Sequence, residues 1–325
     1  MKALVTGGGG FLGGAIVRKL LERGVDVRSF SRSDYPGLRA MGVEVVRGDL
    51  ADAGAVGRAA EGVDVVFHVA AKAGVWGRLR AYHATNVVGT ENVVRACRDR
   101  GVSKLVYTST PSVTFVGDDQ EGIDESAPYA KRFLCAYPRT KADAEQHVLA
   151  SSDGVLLTCA LRPHLIWGPG DPHFVPRIIE RARANGLRML SDKLVDSTYV
   201  DNAADAHVQA ADRLEPSSTV AGKAYFISQG EPLPISDLIN RILAAAGLPP
   251  VHRRVSPGFA YAAGAVFEFL YGLLSETEPP MTRFVARQLA TAHWFDLTAA
   301  RRDLGYDPAI SIDAGMKTLA ESLRS

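Results

Sequence analysis

Short apolar runs alternate with amphipathic stretches through the first half of the chain. The first run, Lys2 to Thr6, gives way to four glycines and then to an apolar pattern of helical period. In that pattern Leu12, Ile16, Val17, Leu20 and Leu21 share one face, Arg18, Lys19, Glu22 and Arg23 share the other, and Gly24 supplies a stop. Residues 25–30, 43–46, 63–69, 104–108 and 155–161 read as further strands, with helices at 83–100 and 136–150 between them. This β-α-β alternation predicts an α/β fold, a doubly wound parallel sheet of six strands with a nucleotide across its carboxyl edge.

After Arg162 the alternation stops at the turn cluster Gly168-Pro-Gly-Asp-Pro172. Residues 200–214 and 224–228 read as a helix and a strand that can return to the sheet. From Gly230 onward the pattern is mostly helical, punctuated by Pro232, Pro234, Pro249, Pro250, Pro257, Pro279 and Pro280. The expected division is a Rossmann domain over 1–168, with 198–228 returning to it. A smaller, mostly helical substrate lobe is expected over 169–197 and 229–325. Within that lobe, residues 259–274 are nearly all apolar except Glu268, yet shorter than the roughly 20 residues that a membrane span needs. They read either as a helix buried against the sheet lobe, or as an apolar entrance for a lipid-like substrate or an interfacial helix.

Composition changes this picture little. The 325 residues carry 37 Lys and Arg against 36 Asp and Glu, a net charge of +1, which points to neither nucleic acid nor an anionic membrane as main partner. Cys97, Cys135 and Cys159 form no CxxC pair and the histidines show no zinc-like spacing, so neither a disulfide nor a metal is expected. The first strand and its glycine turn occupy the place of a signal peptide, and the expected compartment is the cytoplasm.

The glycines carry the first chemistry. Gly7, Gly10 and Gly13 stand three apart between a strand and a helix, the spacing that lets backbone approach a pyrophosphate. The free N–H groups of Phe11, Leu12 and Gly13 at the helix start then face the phosphates. At the end of strand two, Ser29-Phe-Ser-Arg-Ser33 offers no carboxylate for a ribose until Asp34. Arg32 can pair with a 2′-phosphate, aided by the Ser31 or Ser33 hydroxyl, which favours NADP(H) over NAD(H); the alternative is a solvated surface arginine. Past strand three, Asp49 beside Leu50 can reach the adenine amino group or cap the next helix. The small Ala70 and Ala71 after strand four let the backbone lie against the cofactor.

Tyr137 and Lys141 are four apart on a predicted helix and so share a face. A neighbouring ammonium favours the phenolate and moves a tyrosine toward the range that general acid–base catalysis needs, although the pair also suits an ordinary exposed helix face. The hydroxyl-rich end of strand five, Tyr107-Thr-Ser-Thr-Pro-Ser112, precedes it. There Thr110 or Ser109 can hold a carbonyl oxygen beside the phenol, with Ser112 nearby. Trp76, His164, Trp167 and Tyr199 are candidates for the substrate pocket or for the core.

Taken together, Thr6-Gly-x-x-Gly-x-x-Gly13, Asp49, Asn86-Val-Val-Gly-Thr90, Thr108-Ser-Thr110, Tyr137-x-x-x-Lys141, Arg162-Pro163 and Tyr199-Val-Asp-Asn202 resemble the extended short-chain dehydrogenase/reductases. The resemblance implies Tyr137 as acid/base, Lys141 as its helper, Thr110 in the place of the family's Ser or Thr, and Asn86 as the asparagine of its fourth helix. It also puts Pro163 against the nicotinamide and implies a homodimer through the helices at 83–100 and 136–150. Residues 67–77, 107–113, 161–171 and 222–234 resemble the 3β-hydroxysteroid dehydrogenase-like branch, and more narrowly the ketoreductases of bacterial olefin and β-lactone biosynthesis. That narrower likeness implies NADPH-dependent reduction of a 2-alkyl-3-oxoalkanoate with two long chains. A thiolase-like condensing enzyme would supply the substrate and a β-lactone synthetase would take the product. The rival readings are a 3β-hydroxysteroid or sterol-4-carboxylate dehydrogenase, a cofactor-binding scaffold without turnover, and a sugar-nucleotide epimerase.

Overall fold

Seven apolar runs pair into one parallel sheet in a computed structural model that describes residues 1–274 and 277–324. The strands are β1 (Lys2–Thr6), β2 (Asp26–Ser31), β3 (Glu44–Arg47), β4 (Val65–His68), β5 (Lys104–Thr108), β6 (Leu157–Pro163) and β7 (Lys223–Ile227). Their spatial order is β7-β6-β5-β4-β1-β2-β3. Helices cover both faces, so the central strands are buried on either side and are apolar almost throughout, every residue of β4 and β6 being buried. On one face α1 (Phe11–Glu22) packs beside α6 (Val200–Arg213), tied to it by Lys19–Asp205 at 3.0 Å and Arg23–Asp212 at 2.9 Å. The other face carries α2 (Ala53–Ala59), α3 (Gly89–Asp99) and α4 (Ala136–Ala150). The chain crosses from the β3 edge to β4, so the strand order reverses between β1 and β4. An open sheet forms its crevice at the carboxyl end of such a reversal.

Several elements depart from the pattern in the sequence. The strand expected at 224–228 does return, so the sheet has seven strands, with Lys223–Ile227 pairing with Cys159 to Pro163. β6 runs two residues further than the apolar run, which places Arg162 and Pro163 on the strand itself. The helix expected at 83–100 begins at Leu79 and passes through a π-helical turn, Ala84–Val88, before α3.

Beyond β6 lie α5 (Phe174–Arg183), α7 (Ile235–Ala245), α8 (Pro257–Leu274), α9 (Arg283–Ala290) and α10 (Ile312–Ser322). This lobe is not built from helices alone. Leu233–Pro234, Leu194–Val195, His293–Phe295 and Gln120–Ile123 form a small sheet in that order, and Gln120–Ile123 comes from within residues 1–168. α8 corrects the expectation of a helix buried against the sheet lobe. It packs on α9 through Glu268, whose carboxylate accepts from the Arg283 backbone N–H (2.7 Å) and Nε (2.6 Å). The opposite side leaves Phe259, Val266, Phe269 and Leu273 more than half exposed. Among the described residues no helix is long and apolar enough to cross a membrane.

Candidate active site

The loops after β1, β2, β4 and β5 converge on a cleft of about 520 Å3. Gly7 turns the chain with φ +72°, and a Cβ there would sit 3.0 Å from the Ala70 backbone. At Gly13 a Cβ would stand 2.1 Å from the Gly7 carbonyl, so its absence is what lets α1 start against the strand. α1 has no side-chain cap at Gly10, which leaves the first-turn N–H groups facing the cleft.

A buried histidine holds the two loops together. Thr90 donates its hydroxyl to the Asn86 carbonyl (2.6 Å), so its oxygen accepts from His68 Nε2 (2.9 Å). His68 Nδ1 is then the acceptor for the Thr6 hydroxyl (2.8 Å), whose oxygen in turn accepts from the N–H groups of Val69 and Ala70 (3.1 Å each). This chain works only with a neutral imidazole, and burial, with the nearby Lys141, pushes His68 down to about 3.

Arg32, Ser31 and Ser33 line the cleft at the end of β2. Asp34, the nearest carboxylate in sequence, pairs instead with Arg39 Nε (3.2 Å). A second cation, Arg47, lies beside Arg32 and donates Nε to its carbonyl (3.4 Å). Of the two roles open to Asp49, the helix cap falls to Asp52, which accepts from Ala55 N–H (3.0 Å), while Asp49 stays on the cleft wall with Leu50.

The catalytic candidates meet at the other end. Tyr137, Lys141, Ser109, Thr110, Pro163, Ala70 and Ala71 all line the same cleft. Enclosure by protein pushes the Tyr137 phenol up to about 12, a rise that the nearby Thr110 side chain opposes. Thr110 Oγ1 also accepts from the Ser112 N–H (3.3 Å), and Ser112 itself does not line the cleft. Lys141 corrects a simple reading of the i,i+4 pair. Its ammonium donates to the Thr108 carbonyl (2.5 Å) and rests 4.1 Å from the centre of the Tyr107 ring, so the end of β5 holds it in place. Desolvation lowers it to about 7, against the opposing charge of Glu145. Asn86 acts from behind the cleft. It accepts from Lys72 N–H (2.7 Å) and donates to Lys72 carbonyl (3.1 Å) and to Thr140 Oγ1 (3.0 Å), fixing the loop after β4 to the catalytic helix.

The residues present fit a nicotinamide dinucleotide. The glycine turn and uncapped helix start accept a pyrophosphate. The enclosed hydroxyls of Ser31 and Ser109, three strand positions apart in the sheet, have no partner among the described residues.

A second, apolar cavity of about 350 Å3 adjoins the cleft and shares Leu165 and Phe174 with it. Ile178, Met189, Leu190, Ile239, Val255, Phe259, Ala260, Ala263, Phe284 and Leu289 line it, with Arg177, Arg181 and Arg188 among them. Of the four pocket candidates in the sequence, Trp167 and Tyr199 are core residues in edge-to-face contact at 5.3 Å. His164 is buried against His293, and Trp76 lines neither cavity. Sequence reasoning missed Tyr35, whose ring lies over Gly9, and His68, whose signal was a polar residue ending a wholly buried strand.

Comparison with known proteins agrees with this geometry. Residues 4–256 match the model of the 3-beta hydroxysteroid dehydrogenase/isomerase family. The 2-alkyl-3-oxoalkanoate reductase of Stenotrophomonas maltophilia is 54% identical over 99% of both chains. The 3-beta-hydroxysteroid dehydrogenase of Mycolicibacterium neoaurum is 35% identical over 97% of this chain and 89% of its own. Among solved structures, Thermus thermophilus UDP-glucose 4-epimerase in complex with NAD superposes with a TM-score of 0.76 at 25% identity, covering 100% of this chain and 99% of its own. With the glycine turn, the Tyr137–Lys141 pair and the seven-stranded sheet in place, the chain belongs to the 3-beta hydroxysteroid dehydrogenase/isomerase family of extended short-chain dehydrogenase/reductases and is an NAD(P)-dependent oxidoreductase.

Proposed function

We propose that this enzyme reduces the 3-oxo group of a long-chain 2-alkyl-3-oxoalkanoate to the 2-alkyl-3-hydroxyalkanoate with NADPH. The observation that carries the reading is the opening of the Tyr137–Thr110–Ser109 hydroxyl cluster onto a cleft that shares two wall residues with an apolar cavity. A polar reacting end beside an apolar volume suits a ketone that bears alkyl chains. The name carried by the 54% identical relative supports the same substrate class. Bound NADPH supplies the hydride from nicotinamide C4. The chain does the rest. Thr110, with Ser109 beside it, orients the substrate oxygen, and Tyr137 donates to that oxygen and gives up its phenolic proton as the alkoxide forms. Arg32 and Ser31 hold the 2′-phosphate that distinguishes NADPH.

Such a substrate comes from joining two acyl chains in a condensation of the thiolase type, and a 3-hydroxy acid is what a β-lactone synthetase requires. The test is NADPH consumption with a panel of 2-alkyl-3-oxoalkanoates and 3-ketosteroids. Turnover confined to the keto acids is expected; turnover confined to the steroids would replace this reading with the sterol one.

A further inference from the structure

Leu165 is one of two non-glycine residues with positive φ among those described, at +40°. The other, Asn185 at +56°, is of a type that tolerates the left-handed region, whereas a bulky leucine is strained there. Such strain persists only where the surroundings over-determine the backbone, and here they do. On the amino side, Pro163 pairs with Ile227 in the sheet, and the His164 N–H donates to the Ile227 carbonyl (3.1 Å). The His164 carbonyl accepts from Thr198 Oγ1 (2.8 Å), and its ring is held by His293 (3.3 Å) and lies edge-on to Phe295. On the carboxyl side, the Leu165 carbonyl accepts from Thr198 N–H (3.3 Å), and Ile166 already pairs with Thr198. The chain leaves one sheet at Pro163 and joins another at Ile166, so the change of direction falls on His164 and Leu165, of which Leu165 takes the left-handed backbone.

A glycine would make that turn without strain. The leucine keeps the strain, and its side chain lies where the cofactor cleft and the apolar cavity meet. Phe174 faces the same junction from α5. The Asp171 carboxylate fixes its position by accepting from the N–H groups of His173 (2.8 Å), Phe174 (3.2 Å) and Val175 (2.8 Å).

We infer that Leu165 is a specificity-determining residue: the clamped turn holds its side chain against Phe174 as a divider that directs one alkyl chain of the ligand from the reacting carbonyl into the apolar cavity. The identity of the ligand rests on the proposed function; the dividing role does not.

Two readouts separate those claims. The first is kcat/KM for NADPH oxidation with a long-chain 2-alkyl-3-oxoalkanoate and with 2-methyl-3-oxobutanoate, in wild type and Leu165→Gly. The long-to-short ratio should fall by about tenfold or more, because the divider contacts only the long chain. The second is fluorescence titration with cis-parinaric acid as an unreactive chain probe, for which Leu165→Gly should weaken binding. Urea midpoints supply the strain control, with Leu165→Gly at or above Leu165→Ala because only glycine relieves the turn. An equal fall with both substrates, or an unchanged ratio with unchanged probe binding, overturns the inference. Should wild type reduce no keto acid, the substrate reading fails and the probe alone decides. Weaker binding in the variant then supports the divider, and unchanged or absent binding overturns it. If Leu165→Gly does not fold, Phe174→Ala is read in the same way from the other side of the junction.

Discussion

Tyr137 and Lys141 are four residues apart, a spacing that puts both on one helix face and, with the hydroxyl-rich end of β5 ahead of it, marks them as candidates. That spacing was not enough to say what the lysine touches. The Thr108 carbonyl and the Tyr107 ring that receive its ammonium come from β5, about thirty residues earlier, and only the sheet brings them underneath α4. Arg32 depends less on the fold, because Ser31 and Ser33, which line the cleft with it, are its neighbours in sequence, while Arg47 reaches its carbonyl from β3. The test of Arg32 belongs at this scale. Arg32→Ala should raise KM for NADPH by about tenfold, the size of one charge-assisted hydrogen bond, and leave KM for NADH nearly unchanged. Equal changes for both cofactors would remove Arg32 from the 2′-phosphate site.

At the scale of elements, strands with continuous apolar runs were readable, and β1, β5 and α4 lie where the pattern placed them. Misreadings arose where a polar residue is buried with a distant partner. Arg162 ends the apolar run of β6 on paper, yet it stays in the strand because Glu145 of α4 takes its guanidinium at 2.5 Å and Tyr129 donates to the same carboxylate at 2.7 Å. Both charges are buried, so the strand and the catalytic helix are joined at the level of Pro163 by an ion pair that neither element could shelter alone. The short strands of the small sheet were invisible for a related reason. Their pairings join segments distant in sequence, more than 170 residues apart for His293 with Gln120, and leave no local period. In α8 the apolar pattern was read correctly as a helix, but its uniformity concealed which side faces protein. Glu268, the one charge in it, marks the packed side through Arg283.

The whole molecule places its cleft where buried histidines tie the sheet to its helices, and this gives its stability a pH dependence. His68 is pushed down to about 3, His207 and His293 to about 4, and His164 well below its ordinary value, in each case chiefly by burial. His207 donates Nδ1–H to the Ala203 carbonyl (2.7 Å) and accepts from Thr108 (2.8 Å), so it too must stay neutral. In the unfolded chain these histidines take up protons near pH 6.5, while the native protein does not. Stability is therefore intact above about 6.5 and declines as pH falls toward the native values. Each histidine removes about 1.4 kcal/mol per pH unit once the medium is well below 6.5. Asp196, raised to about 6 by burial, and Glu125, also raised by burial, oppose this. The urea midpoint should drop clearly between pH 7.5 and 5.5, and an unchanged midpoint would contradict the neutral hydrogen-bond chains. The proposed reduction turns on one event, the delivery of a proton from Tyr137 to a ketone held beside the apolar cavity. Its most direct test is NADPH oxidation with a long-chain 2-alkyl-3-oxoalkanoate by wild type and Tyr137→Phe, with NADPH binding measured alongside. Rapid wild-type turnover, lost by about a hundredfold or more in the variant with binding retained, is the predicted result; a Tyr137→Phe protein that still reduces the ketone would contradict it.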